Sequence, residues 1–174
     1  LAVIFTTAAD PEAAWQIRVG GLVAATVQRV EALSIAGGAG RDRMTASAGT
    51  GADRFAGGSG GDVLLGGGGA DTLLGEDAAA QGGDRIIGFA SGEDVLAVSA
   101  LGFRGRLAEG GLLGPQGQFV PGTAPTLAKG QFLYDLATGV LLWDVDGTGA
   151  RGAVTMAQFD AGTVLTAEDF RIIA

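Results

Sequence analysis

The sequence predicts an all-β protein, and three features of its 174 residues lead to this fold class. A nine-residue, glycine-rich phrase repeats over residues 37–74, and each copy ends in a short apolar segment of strand length. Apolar and polar residues alternate over residues 15–19, as they do in a strand with one buried face. Over residues 131–144, two apolar segments flank Ala137-Thr138-Gly139, which predicts a β-hairpin.

The repeat has the pattern G-G-x-G-x-D-x-U-x, in which U is a large apolar residue, and its four copies begin at residues 37, 48, 57 and 66. Glycine lets the loop backbone adopt positive φ values and brings carbonyl groups close together. The aspartate supplies a carboxylate oxygen, and Ca²⁺ prefers a mixture of carboxylate and carbonyl oxygens. The residues after the aspartate have strand character, and the middle side chain is expected to point inward. The inward residues are Met44, Phe55, Leu64 and Leu73, and a degenerate fifth unit over residues 75–87 adds Ile86.

This repeat resembles the calcium-binding nonapeptide of the RTX family. The resemblance implies a right-handed parallel β-roll in which two nonapeptides make one turn, so that loops on one edge come from every second repeat. It also implies that Asp42 stacks on Asp62 and Asp53 on Asp71, with a calcium ion between the members of each pair. Stacked carboxylates repel one another unless a cation lies between them. A third ion is expected between the loop of residues 57–62 and the degenerate loop near Asp84.

The predicted metal-binding residues are the aspartates and the loop glycines of these units. They are Asp42, Asp53, Asp62, Asp71, Asp84, Gly38, Gly40, Gly49, Gly51, Gly58, Gly60, Gly67 and Gly69. Ala48 replaces the first glycine of the second copy, and Ala46-Ser47 lengthen the first half-turn. One alternative is therefore a β-roll in which one or two of the predicted sites hold no ion. The other alternative, a flexible glycine-rich linker, does not explain a large apolar residue two positions after every aspartate.

Three regions follow from the repeat block and its resemblance. We expect lead-in or capping strands over residues 1–35, the RTX β-roll over residues 36–96, and an antiparallel C-terminal β region over residues 97–174. A cap is needed because an uncovered end of a solenoid leaves strand edges unpaired. Alternatively, the first region forms further, degenerate turns of the same roll.

The C-terminal region carries two more resemblances. Residues 84–103 look like the segment after the β-roll in serralysin-type metalloproteases, with Asp94 retained and Gly88 where those relatives often have aspartate. Residues 131–174 are similar to the end of many RTX proteins, which in that family is an uncleaved signal for the type I secretion channel. Asp169-Phe170 is the best-matched part, and it closes a capping-box pattern over residues 166–169 that predicts one helical turn.

Residues 144–149, Asp-Val-Asp-Gly-Thr-Gly, resemble the start of an EF-hand loop. An EF-hand needs a bidentate glutamate at position twelve of the loop and a helix on each side. Position twelve is Thr155, and the flanking segments have strand patterns. The sequence therefore favours a β-turn with a carboxylate cluster over an EF-hand.

Composition narrows the classes of function. Nineteen acidic and eleven basic residues give a net charge of −8, which disfavours nucleic acids and anionic membranes as partners. The sequence has no cysteine and no histidine, so disulfides, zinc sites and histidine-based catalysis are excluded. No apolar stretch is long enough to span a membrane, and no signal-peptide pattern is present. Because the chain begins with Leu1 and not with methionine, we expect a fragment or a processed product.

These observations predict a non-enzymatic calcium-binding module that folds on binding Ca²⁺ outside the cell and directs a larger protein to type I secretion. Its expected partners are calcium ions and the type I secretion apparatus, with no nucleic acid. Its expected location is outside, or on the surface of, a Gram-negative bacterium. One alternative is a surface-layer or adhesin domain that assembles with calcium. Another is the C-terminal part of a secreted hydrolase whose catalytic domain lies upstream, because no zinc-protease motif or serine elbow occurs in this sequence.

Overall fold

The structure is a computed structural model that describes residues 2–7, 14–19, 22–28, 30–45, 51–75, 83–103, 107–111, 113 and 117–174. Its N-terminal strands are β1 (Ala2–Thr7), β2 (Ala14–Val19), β3 (Leu22–Gln28) and β4 (Val30–Ala36). The strands of the repeats and the segment after them are β5 (Arg43–Thr45), β6 (Arg54–Ala56), β7 (Val63–Leu65), β8 (Thr72–Gly75), β9 (Asp84–Ile87) and β10 (Val95–Ser99). A helical turn, α1 (Ala100–Phe103), precedes β11 (Phe119–Pro121), β12 (Gln131–Asp135), β13 (Val140–Asp144), β14 (Val154–Gln158) and β15 (Phe170–Ile173). No helix within these residues is both long enough and apolar enough to cross a membrane.

The chain alternates between two main sheets as it passes through the repeats. One sheet has the order β1-β4-β6-β8-β10-β15, and the other has the order β11-β12-β13-β14-β9-β7-β5. Each strand from β4 to β8 pairs in parallel with the strand two places further along the chain, so the series ends at β10. Two strands per turn is the architecture of a parallel β-roll, so the predicted fold class is confirmed.

The apolar position of each repeat points into the roll. Phe55 stands opposite Leu73 in one sheet, and Met44 stands opposite Leu64 in the other. These four side chains and Ile86 are all buried in one core cluster, as the sequence predicts. The short strands are fixed by this burial, because a slip of one residue would turn each apolar side chain to solvent.

The N-terminal side of the roll is closed by two strands. β4 pairs in parallel with β6, so Ile35 stands opposite Phe55 and continues the inward row. β1 pairs antiparallel with the other edge of β4. Strand β1 therefore covers backbone groups that β4 would otherwise leave unpaired.

The C-terminal region contains the predicted antiparallel strands and also extends the roll. Strands β12 and β13 form the predicted hairpin, and β14 returns antiparallel to β13. However, β14 also pairs in parallel with β9, and β15 pairs in parallel with β10. The core of the roll consequently runs without a break into an aromatic cluster of Phe103, Phe132, Trp143 and Phe170.

The turn after β13 is a β-turn between strands, and the EF-hand alternative is wrong. Oδ1 of Asp144 accepts hydrogen bonds from the amides of Asp146 and Gly147 at 3.3 and 2.8 Å. The segment leads directly into β14, which pairs with the strand before it.

Candidate calcium-binding site

The glycine-rich loops lie in two stacks, one on each edge of the roll. On the first edge, the loop of residues 37–42 lies on the loop of residues 57–62. The Gly40 amide donates to the Ser59 carbonyl at 2.8 Å, and the Ser59 amide donates to the Gly38 carbonyl at 2.9 Å. On the second edge, the Asp53 carbonyl accepts from the Thr72 amide, directly after the loop of residues 66–71, at 2.7 Å. Backbone hydrogen bonds therefore fix the distance between turns without a ligand.

The repeat aspartates on the first edge form a ladder. The Asp42 amide donates to Oδ1 of Asp62 at 2.8 Å, and the Asp62 amide donates to Oδ1 of Asp84 at 3.0 Å. Each carboxylate thus bonds to the backbone of the aspartate one turn earlier. The structure brings together Asp42 and Asp62, and it places Asp84 in the same stack despite the degenerate sequence before it.

The second edge carries an equivalent ladder of three aspartates, with one additional hydrogen bond at its first member. Oδ1 of Asp53 accepts from the Leu33 amide at 2.8 Å, and Oδ1 of Asp71 accepts from the Asp53 amide at 2.9 Å. Oδ1 of Asp94 then accepts from the Asp71 amide at 3.0 Å. Asp94 was not among the predicted ligands. The pattern that could have revealed it is Asp94-Val95-Leu96, in which a buried apolar residue follows two positions after aspartate, as in the repeats.

One oxygen of each central carboxylate has no hydrogen-bond partner. Asp53, Asp62 and Asp71 are each only 1% exposed, and their Oδ2 atoms are buried without a donor. An unpaired buried polar atom costs roughly 1–3 kcal/mol in protein mutational data, and an isolated charge costs more. Three such oxygens at equivalent positions of the repeat are the arrangement expected if the carboxylates hold a cation. The donor set of carboxylates and loop carbonyls suits Ca²⁺.

Burial also changes the protonation of these carboxylates. Desolvation raises the pKa of Asp53 to about 6, against a partial opposing effect of the Leu33 amide. Desolvation raises the pKa of Asp71 to about 7, and the negative charges of Asp94, Asp53 and Glu93 add to the rise. Desolvation likewise raises the pKa of Asp84 to about 7 and raises that of Asp62. Without a cation, the ladders therefore hold protons more tightly than ordinary aspartates do.

The loop glycines leave no room for side chains where the loops stack. The predicted glycines with positive φ are Gly40, Gly58, Gly60, Gly67 and Gly69. A Cβ atom on Gly60 would overlap the Gly40 carbonyl oxygen, and one on Gly58 would overlap the Gly38 carbonyl oxygen. Gly38 itself has open space at its Cβ position, while Gly51 precedes Asp53 by two residues in the chain. Gly49 lies outside the described residues.

The first glycine of the repeat has a separate role that the sequence alone does not reveal. A Cβ atom on Gly57 would overlap Oδ2 of Asp62, and one on Gly66 would overlap Oδ2 of Asp71. The missing side chain therefore makes space for the unpartnered oxygen of the same repeat.

Within the described residues, no group of three carboxylates gathers around one point. An ion between two stacked loops would consequently take at most a pair of aspartates and draw its other oxygens from loop carbonyls. Ca²⁺ accepts such sites, because it takes 6–8 oxygen ligands in flexible geometry.

The comparison with known families agrees with this geometry. Residues 34–50 and 47–79 match the family model described as the RTX calcium-binding nonapeptide repeat, which comprises four copies. No curated protein matches the chain. The matched residues include four of the ladder aspartates, Asp42, Asp53, Asp62 and Asp71. The repeat block of this chain consists of RTX calcium-binding nonapeptide repeats, which bind Ca²⁺.

Proposed function

We propose that this chain is a calcium-binding module that completes its folding when Ca²⁺ binds outside the cell, and that its C-terminal region directs a larger protein to type I secretion. The observation that carries the first part is the row of buried, unpartnered Oδ2 atoms on Asp53, Asp62 and Asp71. Bound Ca²⁺ supplies positive charge to these oxygens. We assign the ion-holding role to the ladder aspartates and to carbonyls of the stacked loops.

Charge explains why folding would depend on the ion. Asp71 lies close enough to Asp53, Glu93 and Asp94 for their negative charges to raise its pKa. The described part of the chain has a single ion pair, between Arg85 and Asp160, and it involves neither Asp53 nor Asp71. A calcium-free roll therefore keeps its carboxylates either protonated or mutually repelling, and both states weaken the fold near neutral pH.

The affinity of such sites suits a switch across the cell envelope. Extracellular calcium modules bind with dissociation constants of roughly 10⁻⁴–10⁻³ M. At a hundredfold excess of ligand over its dissociation constant, each filled site adds about 2.7 kcal/mol to folding. The acidic repeats would accordingly stay unfolded in a calcium-poor cytoplasm and fold after export. RTX proteins are typically secreted by Gram-negative bacteria, which supports an extracellular location.

We further propose that the chain itself is not an enzyme. RTX repeats form a structural calcium-binding module, and the sequence contains neither histidine nor cysteine. Catalysis, if the protein has it, would reside in a domain upstream of this chain, as in a secreted hydrolase.

A surface-layer or adhesin role is the second candidate. It is favoured by β5 (Arg43–Thr45), which lies beside β2 but pairs on its outer edge with no strand in the described part of the chain. An edge strand of this kind can pair with another chain. Light scattering during calcium addition separates the two candidates, because growth in particle size supports assembly and a compact monomer supports the secretion module.

The deciding experiment is far-UV circular dichroism and thermal unfolding of the 174-residue chain with Ca²⁺, with Mg²⁺ at equal concentration, and with a chelator. We expect Ca²⁺ alone to produce the full β spectrum and the highest melting temperature, because Mg²⁺ demands a tighter octahedral site. Identical spectra and melting temperatures under all three conditions would refute the proposal.

A further inference from the structure

Asp169 joins the C-terminal turn to the last loop of the second edge. Its side chain is 1% exposed. Oδ1 accepts from the Gly92 amide at 2.8 Å, and Oδ2 accepts from the Ser91 hydroxyl at 2.8 Å. Oδ2 also accepts from the Thr166 amide at 2.7 Å, which completes the capping box of the 3-10 turn over Ala167–Asp169. A single buried carboxylate thus holds both segments together.

The same loop is tied on its other side to the aspartate ladder. Oδ1 of Asp94 accepts from the Asp71 amide at 3.0 Å, and Oδ2 of Asp94 accepts from the Ala90 amide at 2.8 Å. The loop of residues 90–94 therefore lies between Asp71, a proposed calcium ligand, and Asp169, at the start of the last strand. Any movement of this loop changes both connections.

The last strand depends on this loop for its docking surface. Strand β10 begins at Val95, directly after Asp94, and β15 pairs with it in parallel. Phe170 and Ile172 of β15 are buried in the main core. Displacement of β10 would therefore release the apolar face of β15.

Charge gives the direction of the coupling. A cavity of about 330 Å³ opens beside these hydrogen bonds, and Glu93 and Asp94 of the loop line it. None of the described residues that line it is basic. Asp71 also feels the charges of Glu93 and Asp94. Without a cation, Glu93 and Asp94 repel the Asp71 carboxylate, and positive charge bound at Asp71 relieves that repulsion.

We propose that Asp169 is a positioning residue that couples calcium binding at Asp71 to docking of the C-terminal strand β15. This inference rests on the proposed calcium-binding function. By linkage, the factor by which calcium favours the docked strand equals the factor by which docking raises calcium affinity. The segment proposed as the secretion signal is consequently exposed before calcium binds and sequestered afterwards.

Hydrogen exchange of the 174-residue chain, with and without Ca²⁺, tests the coupling together with calorimetric calcium titration. The test variant is Asp169→Asn, whose amide nitrogen cannot accept from the loop. The matched control is Glu168→Gln, because Glu168 is exposed and its carboxylate forms no hydrogen bond with the described residues. We expect D169N to raise exchange in residues 91–99 and 170–174 in saturating calcium, while residues 53–71 stay protected. Its affinity at the weakest site should fall at least about fivefold, the lower end of usual coupling. E168Q should match the wild type.

Three further variants keep the test decisive if D169N folds poorly. Ser91→Ala removes one donor to Asp169 from an exposed position and should shift both readouts in the same direction by a smaller factor. The reciprocal comparison uses Asp71→Asn and Asp42→Asn, which alter ladders on opposite edges. D71N should increase exchange in residues 170–174, and D42N should leave it unchanged.

The outcomes separate the two proposals. A wild-type chain that binds no calcium refutes the proposed function. A wild type that binds calcium, with D169N equal to E168Q in affinity and exchange, overturns the coupling alone. Equal loosening of the last strand by D71N and D42N also overturns it, because a general loss of stability would then explain both.

Discussion

The backbone amide of Asp53 donates a 2.9 Å hydrogen bond to Oδ1 of Asp71, a residue 18 positions further along the chain. The other oxygen of the Asp71 carboxylate is buried and has no partner. The two oxygens therefore have different roles: one sets the spacing between consecutive turns, and the other remains available to a ligand. The same division holds for Asp62, whose Oδ1 accepts from Asp42.

Replacement of Asp53 by asparagine should weaken calcium binding without removing the ladder. Asparagine keeps an oxygen to accept from the Leu33 amide but loses the charge that the ion would neutralise. We expect calcium affinity measured by calorimetry to fall at least about tenfold, which corresponds to about 1.4 kcal/mol. The control is Asp135→Asn, since Asp135 bonds only within its own hairpin turn, to Ala137 and Thr138. Unchanged affinity in D53N, or an equal loss in D135N, would contradict the assignment.

The pH dependence of stability should largely disappear when calcium is added. Burial raises the pKa of Asp53 to about 6 and those of Asp71 and Asp84 to about 7, from 3.8. Between pH 4 and 7 the calcium-free folded chain thus binds more protons than the unfolded chain, so its free energy of unfolding falls as pH rises. Calcium competes with these protons, and its stabilisation should grow over the same range.

Thermal unfolding of dialysed, calcium-free protein and of calcium-saturated protein at several pH values between 5 and 8 measures this change. We expect the melting temperature to decrease with pH in the first series and to stay nearly level in the second, because calcium-bound carboxylates have no protons to release. A calcium-free melting temperature that rises with pH would show that the ladder carboxylates are not the groups that control stability.

The sequence predicted those parts of the fold that repeat or that are set by neighbours in the chain. The inward positions of Phe55 and Leu64 follow from the period of the repeat, and the strand β12–β13 hairpin follows from its turn residues. The pairing of β15 with β10 was not predicted, because no local pattern links Phe170 to Leu96. Asp169 forms one hydrogen bond of the local, predictable kind and others of the long-range kind. Its bond to Thr166 follows from a local capping pattern, whereas its bonds to Ser91 and Gly92 span 78 and 77 residues.

Alanine at Gly60 should disrupt loop stacking, whereas alanine at Gly38 should be tolerated. Gly60 has a φ of +131°, and an added Cβ would overlap the carbonyl oxygen of Gly40. Nothing lies within 4 Å of a Cβ on Gly38. Backbone strain of this kind costs on the order of 1–3 kcal/mol before any overlap is counted. Urea unfolding in saturating calcium measures both variants. Equal stability of G60A and G38A would mean that the loops do not approach as closely as described.

A cavity in the core of the roll should raise the calcium concentration needed for folding. Leu64 is buried in the main core cluster, and Leu64→Ala at such a site typically costs about 2–5 kcal/mol. Leu101 is 80% exposed, so Leu101→Ala should change stability by less than about 0.5 kcal/mol.

The core loss is comparable to the free energy supplied by one or two filled calcium sites, at about 2.7 kcal/mol each in hundredfold excess. If calcium binding and apolar burial jointly stabilise the roll, L64A needs a higher calcium concentration than the wild type in order to fold. Its folding midpoint in a calcium titration followed by tryptophan fluorescence should therefore move to higher concentration, while that of L101A stays with the wild type. A midpoint for L64A equal to the wild-type midpoint, together with a lower melting temperature, would mean that the roll folds before calcium binds and that the ion is not the trigger.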